Sequence, residues 1–197
     1  MSIDAQTVKE LREKTGAGIM DCKRALSESE GSLEEAVAFL RKKGLATAAK
    51  KAGRATKEGL IGSYMHSNGK IGVMIEVACE TDFVARTDDF GGFVRDLAMQ
   101  VAASSPLAVD RDGLDPALVA GEREMMAAQV AEMGKPPEIV EKIVEGKIEK
   151  WYREVTLLEQ PFVKDPDQQV SQLVQDAIAR LGENIQVRRF TRFVLGE

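Results

Sequence analysis

The sequence predicts an α+β protein: three short N-terminal helices, then a core in which helices pack with a small antiparallel sheet, a hairpin plus a late C-terminal strand. Three observations carry this prediction. Apolar residues recur at helical spacing through the first 43 residues. The period drops to two on either side of Asn68-Gly69. A run rich in β-branched and aromatic residues occupies Ile185 to Leu195, after a further set of helices. Hairpin, helices and late strand in that order give an antiparallel α+β core.

Taken along the chain, Val8 and Leu11 mark the apolar face of a first helix, which Thr15-Gly16-Ala17-Gly18 interrupts. Ile19, Cys22, Ala25 and Leu26 mark a second. Ser32 with Glu35 three residues on is a capping box, and it opens a third helix through Leu33, Ala36, Val37 and Leu40. A bundle this small has a marginal core and leans on a neighbour or partner. Alanines around 46 to 52 continue the helix as a linker. The expected organisation is therefore a bundle over 1–43, a basic helical linker over 44–57 and a core over 58–197.

In the core, Leu60 to His66 forms one strand, and Ile71, Val73, Ile75 and Val77 alternate along the next. Asn68-Gly69 tolerates the two positive φ values of a type I′ turn between them. Thr87 is placed to cap a helix whose face is Phe90, Phe93, Val94, Leu97, Ala98 and Val101. Pro106 stops it. Further helices are expected from Pro116 to Met133, from Pro137 to Leu158, and around Leu173 to Leu181, the last ending at Gly182.

Composition narrows the chemistry. Hydrophobic residues make up 44% and charged residues 30%, enough for a packed core. A net charge of −5 disfavours a surface wholly given to nucleic acid. The one histidine, His66, leaves no histidine-rich metal site, and two cysteines, Cys22 and Cys79, are too few for a zinc ribbon or a disulfide framework. No apolar run reaches membrane-spanning length, and no signal peptide is visible. A soluble, cytoplasmic protein in a reducing compartment is expected.

Candidate sites are few. No phosphate-binding loop occurs, and no dinucleotide-binding glycine pattern follows a strand. Cys22 and Cys79 read as buried small hydrophobes, Met125, Met126 and Met133 as core fillers, Trp151-Tyr152 as packing, and His66 as a surface imidazole beside the turn. Glu80 and Asp82 lack an accompanying nucleophile or ligand set. Between 36 and 57 seven basic residues (Arg41, Lys42, Lys43, Lys50, Lys51, Arg54, Lys57) meet no acid. They form either a solvated face or an electrostatic docking surface. From Glu76 to Arg86 the chain turns from strand to helix, with Phe83 between Asp82 and Val84. The ring either packs on its own sheet or protrudes into a partner.

The stretch from Leu11-Arg12 through Thr15-Gly16-Ala17-Gly18-Ile19-Met20-Asp21-Cys22 to Leu26 resembles the N-terminal signature of the bacterial translation elongation factor Ts family. Glu76 to Arg86, with Thr81-Asp82-Phe83-Val84, is similar to its second signature. Gly134-Lys135-Pro136, Gln160-Pro161-Phe162-Val163 and Arg188 to Phe193 match in order, so the resemblance covers essentially the whole chain. It implies a guanine-nucleotide exchange factor that binds GDP-bound elongation factor Tu, displaces its Mg²⁺ and promotes exchange of GDP for GTP.

The same resemblance implies a bundle similar to ubiquitin-associated domains. It assigns Arg12, Ile19 and Met20 to contact with the GTPase domain, and Thr81, Asp82, Phe83 and Val84 to the wedge that disturbs the metal and nucleotide. Where the family commonly has Met this chain has Ile19. The magnesium belongs to the partner: no cofactor, metal or chemistry of the chain's own is implied. Longer family members carry a second core subdomain and an inserted coiled coil. With one hairpin and one late strand the chain resembles the short form, for which homodimerisation is implied. A helical adaptor would need the bundle alone, a nucleic-acid binder would use the basic stretch and lose affinity steeply with salt, and an enzyme would turn over without a GTPase.

Overall fold

The computed structural model describes residues 3–132, 134 and 136–196 of the 197. Met133 and Lys135 lie outside the described residues. Three helices open the chain: α1 (Ala5–Thr15), α2 (Ile19–Glu28) and α3 (Leu33–Lys51). The strands β1 (Glu58–Met65) and β2 (Ile71–Cys79) follow, then the one-turn helix α4 (Asp82–Ala85) and the long α5 (Asp88–Ser104). Next come α6 (Pro116–Ala131), α7 (Pro137–Val155), β3 (Pro161–Phe162), β4 (Asp165–Gln169), α8 (Val170–Leu181) and β5 (Gln186–Val194). The antiparallel three-stranded sheet has the order β1-β2-β5, so the expected hairpin and late strand do pair.

The chain divides into two compact units. The first comprises Met1–Leu60, Val77–Phe93 and Gln172–Gln186; the second comprises Ile61–Glu76, Val94–Ser171 and Val187–Glu197.

In the first unit, Val8, Leu11, Cys22, Ala25, Leu26 and Ala36 form the core of the three-helix bundle. Gly16 closes α1 at φ +66°, the left-handed conformation that glycine adopts without penalty, and its N–H donates to the Arg12 carbonyl at 2.8 Å. Ser32 caps α3 by accepting from the Glu35 N–H at 3.4 Å. The reciprocal half of the capping box is replaced, because the Ser32 N–H donates to the Ser29 carbonyl at 2.8 Å. α3 runs unbroken into the basic stretch, and Lys51 Nζ donates to the carbonyl of Gly182, just past the end of α8. Thr56, buried two residues before β1, donates its hydroxyl to Gln186 Oε1 at 3.1 Å.

In the second unit, Val73 and Ile75 are buried on one face of β2, while Met74 between them is exposed on the other. The buried stripe of α5 is Val94, Leu97, Ala98 and Val101. A Cβ at Gly62 would stand 2.3 Å from Val94 Cγ1, so β1 approaches α5 this closely only with glycine there. Helices α6 and α7 are tied by Arg123 donating to both carboxylate oxygens of Glu145, at 2.8 and 3.2 Å. Arg111 donates to Glu149 and Glu159 and lies 4.4 Å over the Tyr152 ring.

Three expectations are corrected here. Met125 is 49% exposed on α6 and fills no core gap. α7 stops at Val155, short of Leu158, because the chain bridges to Ala108, whose carbonyl accepts from the Leu157 N–H at 2.9 Å. A second hairpin, β3–β4, pairs Pro161 with Gln169 and Phe162 with Asp165 where no strand was expected. Buried Gln100 holds it: its Nε2 donates to the Pro161 carbonyl at 3.1 Å, and its Oε1 accepts from the Val163 N–H at 2.7 Å.

Candidate partner-docking site

The turn after β2 is built from the bottom by a carboxylate. Glu183 Oε2 accepts from the N–H groups of Glu80 and Thr81, both at 3.0 Å, and Glu183 Oε1 accepts from the Thr81 hydroxyl at 2.6 Å. The Thr81 oxygen in turn accepts from the Val84 N–H at 3.4 Å, capping α4. A four-residue helix is far below the length that sustains itself in water, so its geometry depends on this cap and on what holds the cap. Beneath it Cys79 and Ala85 are buried.

Glu80 turns the other way, where its carboxylate accepts from the Asn184 N–H at 2.6 Å and lies 3.5 Å from Arg54. The donated N–H, with Arg54 adding to it, holds the Glu80 carboxyl below its ordinary pKa. Asn184 also donates its side-chain amide to the carbonyls of Ala52 and Arg54, at 3.3 and 2.8 Å, satisfying acceptors just beyond α3. Burial pushes the Cys79 and Cys22 thiols up, so both remain small apolar fillers, as expected.

On this braced turn Phe83 is 82% exposed, in contrast to Phe90, which is fully buried on α5. The reading in which Phe83 packs on its own sheet is thereby overturned. Asp82 forms an ion pair with Arg86 at 3.0 Å, one helical turn on, and stays at the surface with it. Val84 is half-buried beside the cap.

Arg12 lies exposed in the last turn of α1, and Ile19 and Met20, 50% and 74% exposed, open α2. The Thr15 hydroxyl donates to the Leu11 carbonyl at 2.7 Å and accepts from the Ala17 N–H at 3.4 Å, which tightens the turn between these helices. The compact unit that carries Phe83 carries this second exposed apolar group as well.

Of the basic stretch, Lys43 pairs with Asp21, Lys51 with the Gly182 carbonyl and Arg54 with Glu80, so these three serve the fold. Sequence reasoning missed Glu183 and Asn184. They sit just after the glycine that stops α8, where polar residues ordinarily signify only a loop. Their partners lie about a hundred residues or more away. Among the described residues no three His, Cys, Asp or Glu side chains gather as a metal site would need, and no helix is long and apolar enough to cross a membrane.

An exposed aromatic ring on a braced turn, with exposed apolar residues on the same unit, puts the chain in the class of proteins that display apolar groups at their surface. Comparison with known proteins narrows that class. The family model described as Elongation factor TS matches residues 3–197. The chain is 58% identical over 196 residues to an elongation factor Ts of Nitratidesulfovibrio vulgaris (strain DSM 19637 / Miyazaki F), covering 100% of this chain and 98% of that protein. It is 58% identical over 197 residues to that of Geobacter sulfurreducens (strain ATCC 51573 / DSM 12127 / PCA), covering 100% and 91%. For that of Thermoanaerobacter sp. (strain X514) the identity is 55% over 195 residues, covering 99% and 96%. The chain belongs to the elongation factor Ts family, the nucleotide exchange factors that serve elongation factor Tu in translation.

Proposed function

We propose that this chain speeds GDP release from elongation factor Tu by pressing Phe83 into the GTPase beside its nucleotide site, while Asp82 disturbs the bound Mg²⁺. Thr81 and Val84 frame the wedge, and Arg12, Ile19 and Met20 hold the GTPase domain. The observation that carries this reading is the exposure of Phe83 at the tip of a turn whose base is hydrogen-bonded and buried. A large apolar ring left in water by its own fold has its hydrophobic gain still to make.

No bond needs to be made or broken by the chain. It binds the nucleotide-free GTPase more tightly than the GDP-bound form, and linkage requires it to weaken GDP binding by the same factor. A 10⁴-fold weakening corresponds to about 5.5 kcal/mol of coupling. Burying one Phe ring contributes roughly 1.5–3 kcal/mol. The remainder has to come from loss of the Mg²⁺ bridge and from the wider interface, and Asp82 stands next to the ring for the first of these. The magnesium is the partner's own.

The active species proposed is a cytoplasmic homodimer. On the second unit, Ile61, Met65, Met74, Phe193 and Leu195 are all exposed. Met74 alternates with buried Val73 and Ile75, and Met65 packs over Gly72, placing them on the sheet face turned away from the core. An apolar sheet face of this kind is ordinarily covered by a partner. The test of the function is release of fluorescent GDP from purified elongation factor Tu. Acceleration on adding the chain supports exchange, and an unchanged rate refutes it.

A further inference from the structure

We infer that Glu183 is a positioning residue for exchange: its carboxylate seats the turn that aims Phe83, although it lies 102 residues from Thr81 and contributes nothing apolar to the partner. The inference rests on the wedge reading of Phe83. Three hydrogen bonds converge on this one side chain, from the Glu80 N–H, the Thr81 N–H and the Thr81 hydroxyl. Bonds that end on a charged acceptor are shorter and stronger than neutral ones. The Thr81 hydroxyl has one proton to give. Spending it on Glu183 turns a lone pair toward the Val84 N–H, the bond that defines the first turn of α4.

Without the carboxylate, two backbone donors and one hydroxyl lose their acceptor, and the 3.4 Å bond from the Val84 N–H is left to fix the rotamer of the cap. Asp82 to Ala85 then has no length of helix to fall back on. Phe83 would still be present, but its direction would spread over several conformers. A wedge helps only in the conformer that fits, and the rate falls with that fraction. The expected loss is in the rate at saturating exchange factor, since Arg12, Ile19 and Met20 belong to α1 and α2 and retain their grip.

The test uses the full-length chain and release of fluorescent GDP from elongation factor Tu, measured to saturation. Glu183→Ala is expected to lower the saturating rate about tenfold while changing the half-saturating concentration less than threefold. Glu183→Gln, which keeps an acceptor for the two backbone N–H groups, is expected to recover part of that loss. In a Phe83→Ala background Glu183→Ala should cost nothing further at saturation, because the residue acts only through the ring. Thermal melts and circular dichroism of each variant report folding directly, and Glu183→Gln keeps the side-chain volume should the alanine variant not fold.

Two results overturn the inference. If Phe83→Ala slows release but Glu183→Ala and Glu183→Gln both exchange at the full rate, Glu183 is not a positioning residue and the wedge stands. If Glu183→Ala slows release equally with and without the Phe83 ring, its effect does not pass through the wedge. A Phe83→Ala chain that exchanges at full rate is a different failure: it removes the wedge reading itself, and this inference with it.

Discussion

Replacing Phe83 by alanine deletes a ring that is 82% exposed, on a turn braced by the side chains of Glu183 and Thr81. Deleting a core phenylalanine costs about 3–5 kcal/mol of stability, whereas a surface change away from caps and cores stays within about 0.5 kcal/mol. For a chain of this size that smaller figure moves Tm by no more than about 2 °C. The partner-bound state is where the ring is missed. Loss of about 1.5–3 kcal/mol of burial, if it appears in the exchange transition state, slows GDP release roughly 10- to 150-fold. Stopped-flow release of fluorescent GDP at saturating exchange factor measures this directly. Asp82→Ala should slow the same step, and the double variant should fall short of the product of the two, since adjacent residues share one intrusion. A Phe83→Ala chain with an unchanged melt and an unchanged saturating rate would refute the reasoning. A large drop in Tm would mean that the ring supports the fold after all.

Arg12→Ala or Met20→Ala should raise the half-saturating concentration about tenfold and leave the saturating rate within twofold, in the same titration; the converse split would remove their assignment to grip. Light scattering at micromolar concentration should report about twice the 21.5 kDa chain mass, and Phe193→Glu, which puts a charge on the exposed sheet face, should return it to one chain. The Glu80 carboxyl is held below its ordinary pKa in the folded chain, so its contribution to stability is complete above the ordinary carboxylate range and is lost as pH falls through the depressed value. Melts from pH 7 to pH 3 should therefore show Glu80→Gln less stable than the parent at neutral pH, with the gap closing below about pH 4.

The parts of the fold legible in the sequence are those fixed by local chemistry. The alternating apolar runs around Asn68-Gly69 specify their hairpin within a few residues, but the turn is not the type I′ one expected. Of the pair only Gly69 has positive φ, +66°, and the loop closes between His66 and Ile71, whose carbonyl accepts from the His66 N–H at 2.9 Å. Thr87 caps α5 as its position suggested, accepting from the Phe90 N–H at 3.2 Å. What escaped is fixed at a distance. Asp165-Pro166-Asp167-Gln168-Gln169 has none of the β-branched or aromatic residues that signal a strand, and it becomes β4 through its pairing with Pro161-Phe162, itself tied at the Pro161 carbonyl to Gln100, 61 residues earlier. The candidate site divides in the same way. The segment around Phe83 stood out because an apolar ring beside an acid at a strand end is unusual, but its exposure was undecidable locally. Glu183 is invisible in sequence because a carboxylate after a helix-stopping glycine has the same appearance whether it holds a loop or merely faces water.

The hydrogen bonds that Glu183 accepts and Asn184 donates also put the parts of the molecule in an order of assembly. The three helices of the bundle make their contacts within the first few dozen residues, so closing them costs little loop entropy. The Thr81 cap closes across 102 residues, and the carbonyl of Ala52 waits for an amide 132 residues further on. Contacts of that span form late, because chain entropy must be surrendered before they give anything back. On a ribosome making this chain, the helices proposed to grip can therefore make their contacts before the turn that carries Phe83 is seated. That turn must wait until synthesis has passed Glu183. A nascent chain can hold its bundle without yet holding this turn, and on the exchange mechanism proposed above the capacity to unsettle a GTPase is among the last properties the protein acquires.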